Sequence, residues 1–209
     1  MTDSYFHIEK LTRKWWFYLL LFLIPALSPC YVSTGLGYYR NPLDFILQVT
    51  EALYWKKYIF QPLMPAAHLT VILLILLLVR MGNRFGRLFS TLVGCNFLII
   101  LYVQTMVNTE KYGFVVATPF FILFLMVALV WFWEASSPKT DFTFRWLPIK
   151  KYWVVPMALF AFWDPDQAWY LDMRMWLIST SPIAFCMMTT VYLATFSLLY
   201  PNINLPAFR

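Results

Sequence analysis

Almost every Lys and Arg in this chain falls in a gap between long apolar runs, and few folds tolerate that arrangement. Several of the runs approach ~20 residues, the length a helix needs to cross the hydrocarbon core of a bilayer. Only 12% of the 209 residues are charged and 61% are apolar, about half the charge of an ordinary soluble domain. We therefore expect an all-α integral membrane protein, one polytopic domain over 1–209, built as a bundle of about six transmembrane helices.

The expected spans are 15–32, 58–79, 88–107, 112–133, 146–163 and 176–200. Trp15 and Trp16 follow Lys10, Arg13 and Lys14, an aromatic pair at headgroup level behind a basic cluster. The run after Lys14 passes through Pro25 and Pro29 into aromatic residues with no small-x-small cleavage site, so it reads as a retained segment rather than a signal peptide. Asn41-Pro42 can start a helix in which Leu43, Ile46, Leu47, Val49 and Leu53 alternate with Asp44, Gln48, Thr50 and Glu51. That pattern suits an amphipathic helix lying in the interface between the first two spans. Asn108 to Lys111 reads as a turn, and Glu134 to Lys151 as a polar connection.

Charge supports this order. With six crossings and the N-terminus in the cytoplasm, one side holds Lys10, Arg13, Lys14, Arg80, Arg84, Arg87, Lys139, Arg145, Lys150, Lys151 and Arg209. The other holds Arg40, Lys56, Lys57, Lys111 and Arg174, fewer than half as many, as the positive-inside rule requires. A fifth segment that dips in and returns leaves the balance unchanged. The net charge of +6 is spread over these gaps and forms no phosphate-binding stripe, so we expect no nucleic-acid partner. Cys30, Cys95 and Cys186 lie far apart with no CxxC pairing, which points away from zinc and from a disulfide framework.

The segment Lys150 to Trp176 draws attention because its apolar run stops after about a dozen residues, too few to cross. It then opens into Trp163, Asp164, Asp166, Trp169, Tyr170 and Asp172. An interrupted segment at membrane depth survives only where protein or a water-filled cavity covers its backbone, and such breaks often build binding sites. The carboxylates suit a cation or basic ligand and the rings suit a flat one. The same residues also suit an Asx-type turn capping the next helix within an interfacial aromatic belt. His68, the one histidine inside a span, is a candidate ligand for a pigment, metal or quinone. It equally suits an imidazole bonded to a backbone carbonyl. Asn96 is a candidate substrate contact, although with Ser90 and Gly94 it also fits a tight helix contact.

Pumps and most intramembrane enzymes need ionisable groups at membrane depth, and the first four spans and the sixth carry none near their centres. There is no HExxH and no GxSxG, which points away from those enzyme classes, and the cofactor is unassigned. Two readings stand. One is a non-enzymatic component that binds a small neutral or aromatic molecule for transport, energised by partner subunits in a plasma or energy-transducing membrane. The other is a non-catalytic subunit of a respiratory, photosynthetic or monooxygenase complex that contacts quinone, pigment or lipid. A lipid-modifying enzyme using Asp164, Asp166 and Asp172 is a third.

Overall fold

The structure is a computed structural model that describes residues 10–35, 41–163 and 172–208. The chain is mostly helical (73%), in keeping with the all-α expectation. Its longer helices are α1 (Trp15–Leu27), α2 (Pro42–Ile59), α3 (Met64–Met81), α4 (Asn83–Thr105), α5 (Thr118–Ser136), α6 (Val154–Trp163) and α8 (Phe185–Leu199). The described residues also include two four-residue helices, α7 (Met175–Ile178) and α9 (Leu205–Phe208), and 3₁₀ turns over Gln61–Leu63, Ile149–Trp153 and Ser181–Ile183. A small antiparallel sheet, β1 (Tyr31–Val32), β2 (Met106–Thr109) and β3 (Gly113–Val116), was not foreseen.

Among the described residues three helical stretches are long and apolar enough to cross a membrane: Gln61–Met81, Asn83–Thr105 and Thr118–Ser136. A fourth is possible if the pair Met175–Ile183 and Phe185–Leu199, bent by 96°, counts as one broken span. The expected boundaries shift for identifiable reasons. The first helix stops at Leu27, not Val32, because Ser28 precedes Pro29 and is held extended at ψ 121°. Tyr31 and Val32 then pair with Val116 and Val115. The third and fourth spans lose their facing ends to the hairpin, where Met106 to Thr109 pair with Gly113 to Val116. Pro119 in the first turn of α5 sets its start near Thr118. Only Val154–Trp163 of the fifth span is α-helical, since Pro148 heads a short 3₁₀ turn over Ile149–Trp153.

α4 is the central helix, packed most extensively on α5. Its buried side recurs at helical spacing through Phe85, Phe89, Val93, Phe97, Ile100 and Leu101. Small residues at Gly86, Ser90 and Gly94, four apart, let neighbouring rings approach: a Cβ on Gly94 would stand 2.9 Å from the Phe132 ring, and one on Gly86 would overlap Phe142. Around this seam Trp131 stacks on Phe196 at 4.8 Å, and Phe89 meets Trp131, Phe142 and Tyr192 edge-on. Each such pair adds ~0.5–1.5 kcal/mol beyond its burial.

The two ends of the bundle are tied differently. At one end Asn41 caps the first turn of α2 through the Asp44 N–H, as the sequence suggested. The Asp44 carboxylate accepts from Lys111 (2.6 Å) and Tyr112 (2.7 Å), clasping α2 to the hairpin and lowering its pKa. Phe45 and Val49 pack inward there while Leu43, Ile46 and Leu47 stay exposed. Lys56 donates to the carbonyls of Tyr102 (2.7 Å) and Met106 (2.6 Å), filling acceptors that the end of α4 leaves free. At the opposite end the α3–α4 turn, with Gly82 at φ 54°, is bound to the connection after α5. Asn83 donates to Asp141 (2.8 Å) and accepts from the Phe142 N–H (2.6 Å).

Two outcomes follow. Gly86→Ala gains up to ~1 kcal/mol of helix propensity but loses ~1–3 kcal/mol to overpacking against Phe142, which is itself buried. Thermal unfolding in detergent is expected to show a net loss, and a Tm equal to or above wild type would contradict the packing seam. Hydrogen bonds from Thr143 and Asn83 hold the Asp141 pKa down at about 2, against an ordinary value of 3.8. A lowered pKa stabilises the fold above the ordinary value, and the gain fades as pH falls from 3.8 through about 2. Asp141→Asn is thus expected to be less stable than wild type at neutral pH, with the gap closing across that window; a gap independent of pH would contradict the assignment.

Candidate functional site

A helix broken inside an apolar surround leaves backbone groups without partners, each costing several kcal/mol if left so. Here the break runs from Ser179, extended at ψ 160°, through Pro182 to Ala184 at ψ 121°, and α6 ends beside it. Side chains from α4 satisfy part of it. Asn96 donates to the Pro182 carbonyl (2.9 Å) and accepts from the Tyr192 hydroxyl (3.1 Å). The Phe185 N–H donates to Gln104 (3.2 Å). Ser181 and Ser179 reach the Phe162 carbonyl in the last turn of α6 (3.0 and 3.3 Å).

His68 closes the same knot. Its Nδ1 lies 2.8 Å from the Met64 carbonyl, which only accepts, so Nδ1 carries the proton and Nε2 is the acceptor. Ser179 and Ser181 hydroxyls both stand 3.2 Å from Nε2. Two hydroxyl protons thus face two acceptors, Nε2 and the Phe162 oxygen. The imidazole, Ser179, Thr180 and Ser181 are all fully buried, and the ring sits edge-on to Phe162 at 4.7 Å. Both ring nitrogens are engaged by the chain, so an external ligand on His68 would have to displace the serines.

Of the expected cap, Asp164, Asp166, Trp169 and Tyr170 lie outside the described residues. Trp163 and Asp172 lie within them. The Trp163 Nε1 is buried with no partner among the described residues. Asp172 is committed to Arg174, which binds it at 2.8 Å and lowers its pKa. Among the described residues no group of three His, Cys, Asp or Glu is placed to hold a metal ion.

A concave space lies elsewhere, between α1, α5 and α8. It is a crevice of about 560 Å³, within the size range of small-molecule sites. Phe97, Trp131, Tyr192 and Phe196 form its buried floor, with Leu123, Met126 and Val127 of α5 as one wall. Phe17, Tyr18 and Leu21 of α1, half-buried, and the exposed Phe22 form the other, while Leu19, Leu20 and Leu23 are exposed outside it.

One end of the crevice is polar. Glu134, read from sequence as part of a polar connection, is in the last turn of α5 and 1% exposed. Its carboxylate accepts from the Lys139 and Thr140 N–H groups (3.0 and 2.8 Å) and from Asn204 (2.7 Å). Thr12 lies at the same end and its carbonyl accepts from Tyr18 (2.7 Å). The Glu134 carboxylate and the Thr12 carbonyl are engaged within the chain, whereas the Thr189 hydroxyl in the lining and the Asn204 Oδ1 beside Glu134 are buried without a partner among the described residues; the rest of the crevice offers aromatic and aliphatic contact. Nothing in the sequence around Glu134 signals this role, because its partner Asn204 is 70 residues away.

His68→Leu keeps the volume but strips one serine proton of its acceptor, at ~1–3 kcal/mol for a buried donor left unsatisfied. The Tm in detergent is expected to fall with no change in visible absorbance; an unchanged Tm, or loss of a chromophore, would contradict the knot as drawn. Comparison of the chain with protein-family models, with curated proteins and with solved structures finds no match to any of them.

Proposed function

We propose that this chain is a non-enzymatic integral membrane protein that takes a hydrophobic small molecule, neutral or aromatic, from the bilayer into the crevice between α1, α5 and α8. Partner subunits then supply the energy to move it. The crevice carries the reading: it has room for such a molecule, an aromatic floor, and one loosely packed wall with apolar residues on its outer side. Lateral entry from lipid suits that outer wall better than entry from water. The cap of Asp164, Asp166, Trp169 and Tyr170, with Trp163 and Asp172, stays in the proposal as the outer boundary of the protein. Asn96 enters it as the residue that holds Tyr192, part of the crevice floor, in place. His68 enters it as a structural group and not as a cofactor ligand.

The topology belongs to the same proposal. We read six crossings with the N-terminus in the cytoplasm, in a plasma or energy-transducing membrane. Supporting this, α2 and the hairpin share one end while the α3–α4 turn, the connection after α5 and Asn204 share the other. α1 is too short for a full crossing, and the extended residues up to β1 complete the distance.

Leu21→Trp and Val127→Trp each fill the crevice from an opposite wall without touching the buried knot. Native mass spectrometry of protein purified gently from its own membranes is expected to find a hydrophobic molecule retained on wild type and reduced several-fold on both variants. Equal retention on all three would contradict the crevice as the site, and co-purifying redox or pigment subunits with an empty crevice would replace this reading by the structural-subunit one.

A further inference from the structure

Three arginines crowd the α3–α4 turn. Arg80 closes α3, and Arg84 and Arg87 stand three apart in the first turns of α4. All three are exposed, and among the described residues none of their guanidinium groups makes a hydrogen bond or ion pair. Like charges at that spacing repel and weaken a helix, and no acidic residue sits in the first turn of α4 to offset them. Asp141, which Asn83 ties to this turn, is already bonded to Asn83, to the Thr143 N–H and to Arg145.

The same end of the bundle exposes apolar rings where a water-facing loop would not. The segment after Asp141 is anchored to the turn by Asn83 and by Phe142, whose ring fills the space over Gly86. Beyond the anchor Trp146 is 90% and Ile149 87% exposed, beside exposed Arg145 and Lys150. Cations without partners next to exposed Trp and Ile are the composition of a headgroup layer, where guanidinium groups meet phosphate in two-point contacts and indole rings lie among the glycerol groups.

We propose that this end of the molecule binds the phosphate of anionic phospholipid headgroups through Arg80, Arg84 and Arg87, with Trp146 and Ile149 seated in the same layer. The site is separate from the crevice and rests only on the membrane-spanning reading. It fixes the depth of the bundle in the leaflet and gives the protein a preference for anionic membranes.

The test uses the full chain in a neutral detergent, titrated with phosphatidylglycerol, phosphatidylcholine or inorganic phosphate while thermal unfolding and lipid adducts in native mass spectrometry are followed. Wild type is expected to be stabilised by phosphatidylglycerol well beyond phosphatidylcholine, in a salt-sensitive way. The triple variant R80Q/R84Q/R87Q is expected to lose that selectivity, with affinity weaker on the order of a hundredfold for three interfacial cations. Because the readout is the difference between two lipids on one protein, a lower starting Tm in the variant does not obscure it. Equal effects of the two lipids on wild type, full selectivity in the triple variant, or an equal effect of inorganic phosphate would each overturn the proposal, the last by showing a plain anion site.

Discussion

Everything on one side of this molecule depends on how the break at Ser179 to Ala184 is satisfied. Pro182 and the extended residues around it free carbonyls and N–H groups in an apolar setting, where each unmet group would cost as much as several good packing contacts return. Asn96 and Gln104 of α4 are spent on those groups, while His68 of α3 holds the hydroxyls of Ser179 and Ser181 within the break. They account for most of the conspicuous polar residues that the apolar runs contain. His68, which invites a ligand role when seen in sequence, therefore has both ring nitrogens engaged in the fold.

The opposite side of α8 has no such demand. There the floor of Phe97, Trp131, Tyr192 and Phe196 is complete, and α1 is the element left to cover it. With 13 residues and one buried side chain, α1 lies against α5 without filling the space above that floor. The crevice is thus the result of a short, weakly packed helix meeting a rigid aromatic wall. Rigidity comes from the small-residue seam of α4, and looseness from α1, so the two sides of the site differ in how readily they yield.

Much of the helical architecture was legible because apolar periodicity and length are local. α3, α4 and α5 fall where their runs fall, and the Asn41-Pro42 start of α2 was readable from capping chemistry. The three strands were missed because β1 is two residues long and pairs with a segment over 80 positions away. Glu134 was placed in a loop because the helix runs on to Ser136 and bends back so that the loop's own N–H groups bind the carboxylate. A cavity has no sequence signature at all: Leu21, Val127 and Tyr192 are ordinary helix residues until three helices fail to close over them. The aspartate cap, the most eye-catching stretch in the sequence, falls largely outside the described residues.

Taken together, His68, Asn96 and Gln104 are engaged by the chain itself, and the space proposed for another molecule is a mainly apolar crevice. That division is the central claim. The most direct measurement is a cryo-electron microscopy map of the protein in nanodiscs of its native lipids, with a bound fragment to add mass. We predict elongated density between Leu21 and Val127 that ends near Glu134, with none against His68. A crevice closed by α1 in the map, or a ligand seated between His68 and Ser181, would contradict it.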